Sequence, residues 1–392
     1  MPALDGMRIL DMTQYEAGTS CTQTLAQLGA EVVKIEPPRG DAGRGLLHGD
    51  TRSQYFYNYN CNKRSVVLNL QHPRGRELLL DMAPHFNAFV ENYGPGVIEA
   101  LDIGYDVLTQ RNPTIIYGRI KGFGLSGPYS KYKVYDSVAT AASGAYSLSG
   151  MPGGPPVHPG TTYADSGTGL QMAIALIAAY VQQQRTGEGQ LIELSMQEAT
   201  TMFIRTAALR GWGREAAPRR GNRTRPPTDI YPCKPFGAND YIHLIIVTQR
   251  MWDTFCAVIG RPEMAADPRY ATVEARVERG DEVHDIVEGW TRQRTKREAM
   301  QELASAGVPC SAIFDTFELW SDPHLREREF IQTIDHPEGA IDVMRLPMRL
   351  SASEVPIERP PLLGEHTDEV LREELSLSPG ELAALRAEGV IC

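Results

Sequence analysis

The chain has 392 residues, of which 42% are hydrophobic and 22% are charged, a composition typical of globular proteins. This length exceeds that of one ordinary hydrophobic core, so we expect two domains. The net charge of −10 argues against a general nucleic-acid or membrane-surface binder, and a polyanionic ligand would need a local group of cations.

The start of the chain and its cysteines predict a soluble, cytoplasmic protein. The first six residues lead directly into a strand-like segment, rather than into the basic end and apolar stretch of a secretory signal. The most apolar run, at 169–181, is too short to span a bilayer. The six cysteines are scattered without a C-x-x-C pair, which favours a reduced protein over a disulfide scaffold or a zinc site.

Strand-like and helix-like segments alternate through the first 125 residues. Helices are predicted at 20–28, 73–82 and 98–110, and strands at 7–12, 31–36, 65–70, 88–92 and 114–123. The first helix is expected to begin with a capping box of Ser20 and Gln23 and to end at Gly29. Such alternation is typical of a Rossmann-like α/β fold, in which helices cover both faces of a parallel sheet.

The rest of the chain is organised differently. A Gly- and Pro-rich loop at 143–169 leads into a long apolar helix that ends near residue 184, and a strand follows at 189–195. The Arg- and Pro-rich segment 213–229 predicts an extended linker. Residues 230–335 are expected to form a small α+β domain with strands at 241–248 and 308–314, and residues 1–212 and 336–392 the large α/β domain.

Several common catalytic motifs are missing from the sequence. It contains no G-x-G-x-x-G after the first strand and no G-x-x-x-x-G-K-[ST], so nicotinamide chemistry and a phosphate-binding P-loop are not predicted. It also lacks the G-x-S-x-G turn of serine hydrolases. The nine histidines have no metal-ligand spacing, so no metal site and no permanently bound cofactor are predicted.

Asp165 lies where the Gly-rich loop enters the long apolar helix. Two roles stay open for it from the residues alone: a simple helix N-cap, or a nucleophilic carboxylate. For a nucleophile, free N–H groups and the helix dipole would favour the ionised carboxylate. Gly167 and Gly169 would let a bulky thioester approach, and nearby N–H groups could stabilise an oxyanion.

A set of short motifs runs in order along nearly the whole chain: LDG at 4–6, LGAEVVKIE at 28–36, NCNKRS at 60–65, VENYGPG at 90–96, IKGF at 120–123, KVYD at 133–136, DSGTG at 165–169 and PLLGEHT at 361–367. Each motif is weak by itself, and together they are specific. With them the chain resembles the family III CoA-transferases, which include formyl-CoA transferase, carnitine CoA-transferase and, more distantly, α-methylacyl-CoA racemase.

The resemblance implies a fold, a reaction and a set of site residues. It implies a Rossmann-like domain with a smaller domain inserted, and a homodimer of interlocked subunits. It implies that Asp165 attacks an acyl-CoA thioester, forms a mixed anhydride, then an aspartyl-CoA thioester, and passes CoA to a small carboxylic acid. The positions that match CoA-binding or substrate-binding residues are Glu16, Ala17, Leu68, Asn92, Tyr93, Lys121, Lys133, Tyr135 and Met196. Arg39 and Arg44 are further candidates for CoA phosphates, because so anionic a ligand needs cations.

Two departures from formyl-CoA transferases bear on the substrate. Those enzymes have a glutamine where this chain has Glu16, and their glycine-rich loop corresponds here to the Arg- and Pro-rich 219–227. These differences argue against formyl or oxalyl specificity. One hypothesis is that Arg219, Arg220, Arg223 and Arg225 bind the second carboxylate of a dicarboxylic acid such as succinate; the alternative is a solvated linker.

Two other functions remain as alternatives. The racemase branch uses a histidine before an aspartate, where this chain has Tyr135 followed by Asp136, and a tyrosine is a poor base at neutral pH. A paralogue that binds acyl-CoA without catalysis is the other alternative, and the presence of Asp165 and Gly167 argues against it.

Overall fold

The computed structural model describes residues 1–46, 53–208, 211 and 213–392. Its strands are β1 (Arg8–Met12), β2 (Glu31–Glu36), β3 (Arg64–Val67), β4 (Ala88–Glu91), β5 (Ile116–Lys121), β6 (Gln190–Ser195), β7 (Arg223–Arg225), β8 (Thr228–Pro232), β9 (Tyr241–Leu244), β10 (Cys310–Ala312), β11 (Ile331–Ile334) and β12 (Ile341–Met344). Short 3-10 helices span Ala42–Gly45, Ala83–His85 and Met202–Ile204.

The α-helices of the described residues vary in length from one turn to 24 residues. They are α1 (Ala17–Gln27), α2 (Gln54–Asn60), α3 (Pro73–Met82), α4 (Val97–Ala100), α5 (Tyr105–Arg111), α6 (Asp136–Ala142), α7 (Ala145–Leu148), α8 (Tyr163–Thr186), α9 (Met196–Thr201), α10 (Arg205–Ala208), α11 (Gln249–Val258), α12 (Glu263–Ala266), α13 (Val273–Glu278), α14 (Gly280–Thr291), α15 (Lys296–Ser305), α16 (Thr316–Trp320), α17 (Pro323–Glu327), α18 (Thr367–Leu375) and α19 (Pro379–Ala387).

Six strands form one parallel sheet in the order β3-β2-β1-β4-β5-β6. The order reverses between β1 and β4, which leaves a crevice at the carboxyl ends of these two strands. The predicted α/β fold with a Rossmann-like sheet is therefore confirmed. All six strands lie within or close to the segments that the alternating pattern predicted.

Alternate residues of each strand face two separate hydrophobic cores, as the period of a β-strand requires. Leu10 and Phe89 point into a core that is closed by α3, α5, α18 and α19. Ile9 and Val90 point into the opposite core, which is closed by α1 and α8. Because both faces of the sheet are covered, the strands are largely apolar, as expected for a parallel sheet, and they also carry buried charged residues such as Lys34 and Arg119.

The described residues form two compact units. The first contains Met1–Tyr146, His158–Ala216 and Arg326–Cys392, and the second contains Ser147–Val157 and Ala217–Leu325. In the second unit β7 to β10 form an antiparallel sheet in the order β10-β9-β8-β7, beside a core that includes Trp252 and Phe255. These limits differ from the predicted residues 230 and 335, and the domain boundaries stay a prediction.

Three local predictions are wrong. The first helix begins at Ala17 with Glu16 at its N-cap, so Ser20 and Gln23 lie inside the helix and form no capping box. The segment 213–229 is not all extended linker, because β7 pairs with β8 there. The predicted helix at 98–110 is two short helices, α4 and α5.

Candidate active site

A cavity of about 280 Å³ lies at the carboxyl ends of β1, β4 and β5, where the strand order reverses. The long helix α8 points its first turn at this cavity, and Asp165 of that turn lines it. The other lining residues are Gln14, Tyr15, Ala17, Asn92, Tyr93, Gly94, Pro95, Val97, Ile120, Lys121, Gly122, Tyr132, Lys133, Val134, Tyr135 and Met196. A half-buried carboxylate thus faces a space at the position where parallel α/β sheets usually bind ligands.

The N-terminus of α8 is capped by a different aspartate. The Asp136 Oδ2 atom accepts hydrogen bonds from the backbone N–H groups of Ala164 (2.9 Å) and Asp165 (3.1 Å). The N-cap residue itself is Thr162, and Asp165 is the third residue of the first helical turn. The simple N-cap interpretation of Asp165 is therefore wrong, and its carboxylate is left to face the cavity.

The pKa of Asp165 is raised to about 7. Burial is the main cause, and the negative charges of Glu16 and Asp136 add to it. We expected the helix N–H groups and dipole to favour the ionised form, and this expectation is wrong in direction. Two N–H groups of the first turn, those of Ala164 and Asp165, donate to Asp136, so they stabilise that carboxylate instead.

Glu16 lies close enough to Asp165 to raise the pKa of that carboxyl, and Glu16 is itself 2% exposed. Its Oε1 atom accepts hydrogen bonds from the hydroxyls of Thr162 (2.6 Å) and Ser166 (2.5 Å), which flank Asp165 on α8. Glu16 does not line the cavity described above. It instead links the start of α1 to the start of α8.

Seven of the predicted contact positions come together around the cavity: Ala17, Asn92, Tyr93, Lys121, Lys133, Tyr135 and Met196. Asn92 braces the ends of β1 and β4, since its side chain accepts from Gln14 N (2.9 Å) and donates to Gln14 O (2.8 Å). Tyr135 is two-thirds exposed and packs edge-on against Tyr15. Together with Asp165, these predicted residues make up nearly half of the cavity wall.

The two lysines of the cavity differ in their partners. Lys121 is buried and donates to Glu91 (2.9 Å) and to the carbonyl oxygen of Tyr93 (2.5 Å). Burial lowers the pKa of Lys121, and its positive charge is balanced by Glu91. Lys133 is exposed, and within the described part of the chain it has no ion pair. Lys133 is therefore the better placed of the two to meet an anionic ligand.

Besides Glu16, three predicted ligand contacts do not lie on the cavity wall. Leu68 is fully buried in the core beneath α3. Arg44 is buried and makes paired hydrogen bonds of 2.7 Å to Glu36, so its positive charge is balanced by that carboxylate. Arg39 is exposed on the loop after β2 and is absent from the wall.

The two glycines of α8 serve packing rather than access. A Cβ at Gly169 would lie 2.0 Å from Ser20 Oγ and 2.7 Å from the carbonyl oxygen of Ala17. One at Gly167 would lie 2.4 Å from the Phe203 ring. Both residues lie beyond the first turn of α8, where the N–H groups bond within the helix. The expectation that they admit the thioester and stabilise an oxyanion does not fit this geometry.

Two tyrosines of α2 were missed by sequence reasoning. Tyr55 and Tyr59 pack edge-on with ring centres 5.2 Å apart. Burial, with the nearby charges of Glu16 and Asp165, raises the pKa of both phenols. The sequence of α2 is rich in aromatic residues, but nothing in it indicates which of them face Asp165.

The described residues contain no group of histidine, cysteine, aspartate and glutamate side chains arranged to hold a metal ion. Within the same part of the chain, no helix is both long enough and apolar enough to cross a membrane.

Comparison with known proteins decides the family. The family model described as CoA-transferase family III matches residues 4–367. The chain belongs to CoA-transferase family III. Formyl-CoA:oxalate CoA-transferases of Streptomyces coelicolor and Bradyrhizobium diazoefficiens are 39% and 36% identical to it over 99% of its length, and the matches cover 99% and 97% of those proteins.

Solved structures agree with this assignment. A CAIB/BAIF family protein from Brucella suis has a TM-score of 0.84 and 29% identity, and the match covers 95% of this chain and 99% of that one. The Rv3272 protein from Mycobacterium tuberculosis has a TM-score of 0.82 and 27% identity, over 94% and 99% of the two chains. The family III chain is therefore a CoA-transferase enzyme, and acyl-CoA thioesters and acids are its class of substrate.

Proposed function

We propose that this enzyme transfers CoA through covalent intermediates on Asp165. A carboxylate oxygen of Asp165 attacks the carbonyl carbon of the donor thioester, the C–S bond breaks, and CoA thiolate leaves a mixed anhydride behind. The thiolate then attacks the aspartyl carbonyl carbon, which releases the donor acid and forms an aspartyl-CoA thioester. The acceptor carboxylate attacks the carbonyl carbon of that thioester, the C–S bond breaks, and CoA thiolate leaves a second mixed anhydride between Asp165 and the acceptor. The thiolate then attacks the acceptor carbonyl carbon, which forms the new acyl-CoA and releases the Asp165 carboxylate.

One observation carries this proposal: Asp165 is the carboxylate that lines the cavity, at the crevice where the strand order reverses. A carboxylate is a weak nucleophile, so its reactivity depends on being held beside the thioester. The Asp136 cap and the α1 contact at Gly169 hold the first turn of α8 in place. The raised pKa of Asp165 also makes the ionised form a stronger nucleophile than an ordinary aspartate.

The cavity wall supplies the CoA contacts of the proposal. The exposed Lys133 is the candidate partner for a CoA phosphate, with Arg39 as an outlying cation. Asn92 and Tyr93, which directly follow β4, line the cavity. Ala17, Tyr135 and Met196 give the wall apolar and aromatic surface. Leu68 and Arg44 are not part of the proposed site. Tyr135 is exposed and Asp136 is occupied as a helix cap, so the geometry gives no support to the racemase alternative.

Replacement of the nucleophile tests the mechanism. Asp165→Ala is expected to lower CoA-transfer turnover by at least ~10³-fold, because Asp165 is the one carboxylate among the described residues that line the cavity. Asp106→Ala removes an exposed first-turn carboxylate of α5 and should retain wild-type turnover. Wild-type enzyme incubated with acyl-CoA and then hydroxylamine should carry a hydroxamate at Asp165 by mass spectrometry. Full turnover of Asp165→Ala, or a hydroxamate elsewhere, would contradict the proposal.

The identity of the acid that accepts CoA is a second, more specific part of the proposal. The curated relatives are named for formyl-CoA and oxalate, which supports small carboxylic acids as the class of acceptor, and for this chain we propose a dicarboxylic acid whose second carboxylate is distant from the first. The arginine-rich segment supports this less than we expected. Arg219 donates to the carbonyl oxygens of Ser147 and Gly154, and Arg223 pairs with Asp281 at 2.6 Å. Arg220 and Arg225 are exposed, and a role for them in substrate binding stays a prediction from the sequence.

We also propose that the enzyme is a homodimer, as the resemblance implies. An apolar stripe on α8 supports this: Tyr163, Leu170, Ile174 and Val181 share one face of the helix and are 42–68% exposed. Contiguous exposed apolar surface of this kind usually marks an interface with a partner.

A further inference from the structure

Glu16 is a buried carboxylate that the proposed mechanism does not use. Its Oε1 atom accepts from the hydroxyls of Thr162 and Ser166, and Tyr59 lies beside it. Hydroxyl donors can satisfy an ionised carboxylate while adding no positive charge of their own. Glu16 therefore brings a negative charge close to Asp165 that nothing in its immediate contacts neutralises.

Two other carboxylates lie near the reacting carboxylate of Asp165. Glu16 and Asp136 both act electrostatically on Asp165, and both raise its pKa. Across residues 1–46, 53–208, 211 and 213–392, no ion pair involves any of these three carboxylates. Of the two lysines of the cavity wall, Lys121 is paired with Glu91, and Lys133 is exposed.

This arrangement bears on the acyl group, which is bonded to Asp165 in the anhydride intermediates. Its first atoms beyond the reacting carbonyl must lie within a few bonds of the Asp165 oxygen, and so within the field of Glu16. A second carboxylate at that position would meet like charge in a partly buried site, where water screens poorly. An uncharged group there would meet only a hydrogen-bond acceptor.

We propose that Glu16 is a specificity residue that disfavours acids with a second negative charge directly next to the reacting carboxyl, such as oxalate. Acids whose neighbouring atoms are uncharged are preferred, and a dicarboxylic acid is used when its second carboxylate lies several bonds away. This inference rests on the proposed function, because it assumes that the acyl group is bonded to Asp165.

Oxalate and oxamate provide a matched pair of probes, because they have nearly the same size and differ by one charge. For the wild-type enzyme with a fixed acyl-CoA donor, kcat/KM for oxamate is expected to exceed that for oxalate by about 100-fold. In Glu16→Gln the amide oxygen can still accept from Thr162 and Ser166, so the helix contact is kept. In this variant the ratio of kcat/KM for oxamate to kcat/KM for oxalate is expected to fall at least tenfold, mainly because kcat/KM for oxalate increases.

A control variant separates the local effect from net charge. Glu188→Gln removes the same charge at an exposed position after α8 and should leave the oxamate-to-oxalate ratio at its wild-type value. The proposal is overturned if the wild-type enzyme has the same kcat/KM for oxalate as for oxamate. It is likewise overturned if the wild-type enzyme accepts neither acid. It is also overturned if Glu16→Gln and Glu188→Gln give the same ratio.

Hydroxylamine trapping keeps this test distinct from that of the mechanism. Each variant is incubated with acetyl-CoA, and the hydroxamate at Asp165 is measured by mass spectrometry. Adduct in all variants together with an unchanged ratio refutes only the role of Glu16. Absence of the adduct in the wild type refutes the covalent mechanism itself. Adduct in Glu16→Gln also shows that this variant is folded.

Discussion

Asp165 occupies a position that is unfavourable for a charged side chain in the folded protein. Its carboxylate is half-buried beside Glu16 and Asp136, and the N–H groups that could stabilise it are bonded to Asp136. Functional groups commonly combine such burial with like charge, because the same conditions that destabilise the ion increase its reactivity. The nucleophile is thus expected to lower the stability of the fold in which it acts.

The stability of Asp165→Asn should show this cost as a function of pH. The folded-state pKa is raised from 3.8 to about 7, so the wild type loses stability as pH rises between these values. The variant has no such loss. Its free energy of unfolding, relative to wild type, should therefore increase from pH 4 to pH 7 by at least ~1 kcal/mol and at most ~4 kcal/mol, and then level off.

Urea denaturation at several pH values measures this difference. Asp106→Asn, at the exposed start of α5, is the control and should show a difference that does not vary with pH. A constant difference for Asp165→Asn would show that its carboxylate has no unfavourable surroundings in the fold.

At the scale of elements, the contact between α1 and α8 sets the position of the site. Gly169 lets the two helix backbones approach, and one turn earlier α8 carries Asp165. In Gly169→Ala the new methyl group would lie 2.7 Å from the backbone carbonyl oxygen of Ala17, which cannot rotate away, so the helices must separate. We expect a loss of about 1–3 kcal/mol in the free energy of unfolding, and a fall in turnover of roughly tenfold or more, because small displacements of a nucleophile are costly.

Gly380→Ala is the matched control for that substitution. Gly380 lies in α19 of the same compact unit, and a methyl group added there would have Ser378 Oγ as its nearest neighbour, at 4.0 Å. This added methyl group should leave turnover unchanged and stabilise the helix by up to ~1 kcal/mol. Equal effects of the two substitutions would contradict the packing role of Gly169.

The elements themselves were largely predictable, because apolar periodicity is a local property. It located the strands of the parallel sheet, and the order of motifs located Asp165 and, with it, nearly half of the cavity wall. The contacts around Asp165 were not predictable. The Asp136 cap joins residues 29 positions apart, and Glu16 meets Ser166 across 150 positions. Leu68 and Arg44 lie in segments where the sequence predicts ligand contacts. In the fold Leu68 is part of a hydrophobic core, and Arg44 pairs with Glu36.

At the scale of the whole molecule, the exposed stripe of α8 raises the question of what covers it. Ile174, at the middle of the stripe, is 68% exposed, while the opposite side of the same helix packs against α1. Burying such a side chain in a partner contributes about 1.5–3 kcal/mol. Since the helix also carries Asp165, a second copy bound along it would support the catalytic helix from its outer side.

Substitution of Ile174 by a charged residue tests the proposed homodimer. Ile174→Glu is expected to weaken self-association at least ~10-fold, because the carboxylate would have to be desolvated on binding. Gln182→Glu adds the same charge further along α8, at a position rotated by about a quarter of a turn around the helix axis from Ile174. This variant should associate like the wild type. Sedimentation equilibrium over a range of protein concentrations measures both. A wild-type chain that is monomeric at every concentration, or two variants that dissociate equally, would show that this stripe does not hold a second subunit.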